Sequence, residues 1–202
     1  APPQALRPTP LLPFMIIIAV FGLVYLVRRL PIRLIPLLIS LTTVSLAFFF
    51  AIYLKVYFGP YQKTYSQAWQ YGYEQAIAYI AHHQNEYVRV FISKQYAEPH
   101  IFYAFYTHLN PRALQSGASS VRFSKSDWYW TDQIDNTFLV NHWLIPNGTP
   151  APYLPLEIGS KVPTQNSLLV TTPDHLPSNT TTLETINFLD GSPAFIIVKF
   201  NQ

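Results

Sequence analysis

The sequence predicts two transmembrane α-helices followed by a soluble α/β domain with a mixed sheet and a C-terminal β-hairpin. Three observations carry this. Apolar residues crowd into the start of a 202-residue chain that is half apolar overall; the first 59 residues hold five basic and no acidic residues; and the remainder alternates strand-like and helix-like runs. On this reading residues 1–59 contain the two helices, at about 11–27 and 35–54, joined by a basic connection at 28–34. Residues 60–202 form the folded domain.

Leu11 to Val27 is apolar throughout, and Pro13 falls in its first turn, where a missing N–H costs little. At 1.5 Å per residue the run spans about 25 Å, the lower end of a bilayer crossing. Ile35 to Leu54 is interrupted only by Ser40, Thr42, Thr43 and Ser45, hydroxyl residues that bond to their own or a neighbouring helix in lipid. Arg28, Arg29 and Arg33 sit between the runs. Basic connections stay in the cytoplasm, so both outer ends and residues 60–202 are expected on the extracytoplasmic side of a cell membrane. Tyr53, Tyr57, Phe58 and Tyr61 read as an aromatic belt, with Gly59-Pro60 ending the helix.

Ser66 to His83 reads as an amphipathic helix, because Trp69, Tyr73, Ala76, Ile77 and Ile80 recur at three- and four-residue spacing. Val88 to Ile92 follows as a strand, and Glu98-Pro99 opens a helix to about His108 that Asn110-Pro111 stops. Arg112 to Pro163 is expected to be mostly irregular, with short strands near Val121 to Phe123 and Thr137 to Asn141. Ser167 to Thr172 is a further strand. Leu183 to Leu189 and Ala194 to Phe200 flank Asp190-Gly191-Ser192-Pro193, a hairpin turn in which Gly accepts positive φ.

Residues 60–202 carry eight basic and ten acidic residues, so the pI near 9.1 reflects charge flanking the helices rather than a basic stripe, and nucleic acid is not an expected partner. The absence of cysteine excludes disulfides, thiolate metal sites and thiol nucleophiles. None of His82, His83, His100, His108, His142 and His175 has the spacing that aims two imidazoles at one metal, so no metal is expected. The seven glycines form no phosphate loop, and there is no nucleophile elbow. Asp127, Asp132 and Asp135 cluster around Trp128, Tyr129 and Trp130. Ring faces stack on sugar C–H surfaces while carboxylates accept hydroxyl protons, so Asp127, Trp128, Trp130 and Asp132 read as a sugar-contact surface. The alternative is a solvated loop with its aromatics folded onto the domain. Asn147-Gly148-Thr149 and Asn179-Thr180-Thr181 match the glycosylation sequon. Arg7, outside the first helix, reads either as an interfacial anchor or as a guanidinium fork for a lipid phosphate. The chain starts with Ala, and residues 1–10 lack the features of a signal peptide, so an upstream transmembrane region of the same protein is expected.

Several segments resemble the late part of bacterial membrane glycosyltransferases of the protein O-mannosyltransferase and aminoarabinose transferase group, a family 39-like fold. They are Ala5-Leu6-Arg7 with Leu11-Leu12-Pro13, Trp69-Gln70-Tyr71-Gly72-Tyr73-Glu74-Gln75-Ala76, Pro99-His100-Ile101-Phe102-Tyr103 with Phe105-Tyr106, Leu169-Val170-Thr171-Thr172-Pro173, and Asp190-Gly191-Ser192-Pro193-Ala194-Phe195. Gln4 departs from the pattern, which has His there. The resemblance implies an integral membrane enzyme that takes a sugar from a polyprenyl-phosphate carrier and transfers it to an envelope acceptor. It places the catalytic acidic residues in an upstream outer loop and gives Arg7 the role of offsetting charge on the departing lipid phosphate. The implied partners are membrane lipid and the lipid-linked donor, with no cofactor in this segment. The competing expectation is a non-enzymatic, membrane-anchored extracytoplasmic binding or sensor domain.

Overall fold

The computed structural model describes residues 9–96, 98–117 and 119–201, and it divides into two units, residues 1–58 and 59–202. In the first unit, α1 (Leu12–Arg29) and α2 (Ile35–Val56) are joined by Leu30, Pro31 and a 3-10 turn at Ile32–Leu34. Both helices are long and apolar enough to cross a membrane, and neither buries a residue. α1 runs two residues past the expected end. Arg28 and Arg29 therefore lie in its last turn, where cations meet the negative end of the helix dipole, rather than in the connection. Thr42 Oγ1 donates to the Leu38 carbonyl at 2.8 Å, so this hydroxyl is satisfied within its own helix.

Gly59-Pro60 does not end the helical run. Tyr57–Tyr61 forms a π turn, a wider hydrogen-bond register that accommodates the N–H missing at Pro60, and α3 (Gln62–Tyr65) follows. The expected helix from Ser66 begins only at Tyr73. Gly72 has φ +105°, a left-handed conformation that breaks helical geometry, and the helix it precedes is α4 (Tyr73–His83). At its other end the adjacent His82 and His83 bond back through Nδ1 to the carbonyls of Ala78 and Tyr79, at 2.6 and 2.9 Å.

The second unit then runs through β1 (Arg89–Ser93), α5 (Pro99–Tyr106), α6 (Pro111–Ser116), β2 (Ser120–Lys125), β3 (Trp128–Ile134), β4 (Thr137–Val140), β5 (Tyr153–Pro155), β6 (Lys161–Pro163), β7 (Ser167–Thr171), β8 (Thr180–Asn187) and β9 (Pro193–Phe200). Seven strands make one mixed sheet in the order β2-β3-β4-β1-β7-β9-β8. β1 is parallel to both β4 and β7, while β2-β3-β4 and β7-β9-β8 add antiparallel flanks. The segment expected to be mostly irregular contains the two strands expected there, β2 and β4, and adds α6, β3 between them and the β5-β6 ribbon. β5 and β6, three residues each, are too short to show the alternation that marks a half-buried strand, and pairing rather than pattern fixes them. The C-terminal hairpin forms as expected, closed by Gly191 at φ +90° and by an Asp190 carboxylate that accepts from the Ser192 N–H and hydroxyl.

Alternation along the central strands buries both faces of the sheet. Val90, Ile92, Leu139, Leu168, Val170, Phe195 and Ile197 pack under Tyr73, Ile77 and Ile80 of α4 and Tyr103 of α5. On the other face Phe91, Val140, Leu169, Val198 and Phe200 pack against Ile145, Ala151, Leu154 and Val162 from the long connection after β4. The sequon asparagines serve this connection: Asn147 Oδ1 accepts from Leu176 N–H at 3.2 Å and Asn179 Oδ1 from Ala151 N–H at 2.8 Å.

Candidate functional site

The two cores place a cleft. Leaving β1, the chain turns into α5 on the helical face of the sheet; leaving the neighbouring parallel strand β4, it turns to the opposite face. Connections that diverge from adjacent parallel strands open a crevice at their carboxyl ends, the place where open α/β sheets receive ligands. A cavity of about 450 Å³ lies here, lined by Lys94 and Glu98 after β1, Asn141 and Trp143 after β4, and Trp128, Trp130 and Thr131 of β3.

Local geometry of the β2-β3 hairpin aims the tryptophans. Lys125 pairs with Trp128, so the turn is two residues, Ser126 and Asp127, both at positive φ (52° and 58°), the tight turn whose twist matches paired strands. Further along, Arg122 pairs with Thr131 and Val121 with Gln133, leaving Asp132 as the extra residue of a β-bulge. A bulge reverses the alternation of a strand, so Trp128 and Trp130 share a side that unbroken period-two counting from Ile134 would not assign them. Asp127 sits at the hairpin tip rather than in the cleft wall.

Asp132 is completely buried. Its Oδ1 accepts from Lys94 Nζ at 2.7 Å, and its Oδ2 from the Ile158 N–H at 2.8 Å. Lys94 Nζ also stands 5.3 Å from the centre of the Trp130 ring. The carboxylate is therefore committed beneath the cleft, and Glu98, 40% exposed, supplies the acidic group on its rim. Glu98 Oε2 pairs with His100 Nδ1 at 3.1 Å, and its Oε1 faces Trp128 Nε1 at 3.4 Å. Burial holds the His100 pKa below its ordinary value, opposed by Glu98 and reinforced by Arg122 and Lys94. Asn141 donates from Nδ2 to Glu157 Oε2 at 2.6 Å, and Glu157 also pairs with Lys125, tying the hairpin to the long connection.

Of the four residues read from the sequence as a sugar-contact surface, Trp128 and Trp130 line the cleft, Asp132 braces it from below and Asp127 stands apart. Arg7 lies outside the described residues. Lys94, Glu98, Asn141 and Trp143 escaped sequence reading. Their common signal is position within a few residues of a strand's carboxyl end, and it acquires meaning only once β1 and β4 are known to be parallel neighbours. The fold and site define a mixed-sheet α/β domain with an aromatic cleft at the ends of parallel strands. Compared with known proteins, the chain matches no family model, and no curated protein or solved structure is detectably similar.

Proposed function

We propose that this chain is the C-terminal portion of an integral membrane glycosyltransferase that uses a polyprenyl-phosphate-linked sugar, and that its α/β domain holds carbohydrate in the cleft on the extracytoplasmic side. The cleft carries the reading: three tryptophans beside a rim carboxylate and a lysine supply stacking faces and hydrogen-bonding groups together, the combination that sugars require. Two exposed apolar helices with arginines where they meet support membrane insertion with the domain outside. Arg7 keeps the role that the family resemblance suggests, contact with the donor phosphate.

The family resemblance implies catalytic acids in an upstream outer loop, while in the cleft Asp132 is locked to Lys94 and Glu98 already receives His100 and Trp128. The same observation favours a second reading, a membrane-anchored binding domain without enzymatic activity. Sugar transfer from a radiolabelled polyprenyl-phosphate donor separates the two. Membranes carrying the intact reading frame transfer label to an envelope acceptor, whereas residues 1–202 alone do not. Arg7→Ala slows the intact enzyme at least tenfold while inserting normally. Absence of transfer by the intact protein, with carbohydrate still quenching cleft tryptophan fluorescence, establishes the binding-only reading instead.

A further inference from the structure

The cleft is larger than one sugar ring needs. A pyranose residue with about a dozen heavy atoms needs roughly 200 Å³ at protein packing density, and the cavity offers about 450 Å³. Its three tryptophans are fixed separately. The Trp130 indole N–H donates to the Lys125 carbonyl at 3.2 Å, the Trp128 indole faces Glu98, and Trp143 stands edge-on to His142 with ring centres 4.9 Å apart. Trp128 and Trp130, two residues apart on one side of β3, stand about 7 Å from each other along the strand. Trp143 comes from a different segment, the 3-10 turn after β4. Trp128 and Trp143 remain 59% and 58% exposed, so their rings are available to a ligand.

Separate stacking platforms from two segments of an open cleft suit successive units of a chain, not one ring enclosed on all sides. We infer that the cleft binds an oligosaccharide of at least two residues rather than a single sugar. This rests on the carbohydrate reading of the site given above.

The test is binding by the 202-residue chain in lipid nanodiscs, which avoids sugar-headed detergents, followed by tryptophan fluorescence and calorimetry. The probes are glucose, maltose and maltotriose, and N-acetylglucosamine, chitobiose and chitotriose. In at least one series the trisaccharide binds at least tenfold more tightly than its monosaccharide. Trp143→Ala shrinks that ratio to about threefold or less while circular dichroism stays unchanged, because only the unit stacked on Trp143 is lost. A trisaccharide no tighter than a monosaccharide that does bind overturns the chain inference and leaves the carbohydrate reading standing. A length dependence untouched by Trp143→Ala also overturns it, by removing the Trp143 platform from the site. Failure of every sugar in both series removes the carbohydrate reading and the inference with it.

Discussion

Removing the Lys94 ammonium tests how the cleft is braced. Asp132 is fully buried and Lys94 nearly so, and their 2.7 Å contact is the carboxylate's one cationic partner among the described residues. Lys94→Met keeps the stem's volume but strands a buried charge, a situation that costs about 4 kcal/mol and lowers the unfolding midpoint of a domain of this size by roughly 12 °C. Lys94→Met combined with Asp132→Leu removes both charges and leaves only the Ile158 N–H without its 2.8 Å acceptor, a loss of about 1–2 kcal/mol. The double variant should therefore be more stable than Lys94→Met, a non-additivity that separates a charge-pair account from simple loss of packing. Thermal unfolding followed by tryptophan fluorescence is the assay, since Trp130 lies under the Lys94 ammonium. A Lys94→Met midpoint within about 3 °C of the parent, or a double variant no better than the single one, would refute the reasoning.

Three further outcomes follow from particular residues. Gly72→Ala forces a side chain into φ +105° and puts its Cβ 3.1 Å from the buried Phe195 ring, so it should cost about 2–3 kcal/mol in a denaturant titration; a cost under about 1 kcal/mol means that α4 can shift without penalty. The pKa values of His100 and His142 are both lowered, chiefly by burial, so the unfolded chain takes up protons at higher pH than the folded one. Stability should fall as pH drops from about 7.5 through 6.5 and level off only once the folded-state imidazoles are protonated. His100→Gln should flatten that slope, and an unchanged slope assigns it to other groups. A cysteine at the exposed hairpin residue Ser126 should react with an impermeant thiol reagent in intact cells, and one at Ile32 only after lysis; the reverse pattern inverts the topology.

The elements that could be read from the sequence are those whose burial repeats locally. β1, β7 and β9 are continuous apolar runs because both faces of the sheet are covered, and α4 shows its buried stripe at Tyr73, Ala76, Ile77 and Ile80. The same stripe suggested an earlier start, since Trp69 falls in phase with it. Yet Trp69 is 68% exposed, and its indole N–H bonds to Tyr61 Oη at 3.2 Å. Phase alone cannot reveal the left-handed turn at Gly72. β3 escaped for the opposite reason, since its first residues are exposed and it is stabilised by pairing with β2 and β4 rather than by a locally repeating buried pattern.

The cleft was legible only in its two β3 tryptophans. Trp128 and Trp130 announce themselves by composition, whereas their orientation depends on a bulge that the residue types at 131–133 do not signal. Asp132 looks in the sequence like the acid that would meet a ligand, because a carboxylate is expected at the surface. Burial with Lys94 reverses its role and leaves that task to Glu98, thirty-four positions earlier. Glu98 and Asn141 become neighbours of the tryptophans because β1 lies parallel and adjacent to β4, a pairing across more than forty residues. A site at the ends of parallel strands is encoded in the order of strands, and that order is set by the two cores on opposite faces of the sheet. A substitution that weakens either core, such as Leu169→Ala beneath the long connection, should therefore reach Trp143 and Asn141 through Leu144 and Ile145, which pack on the same core.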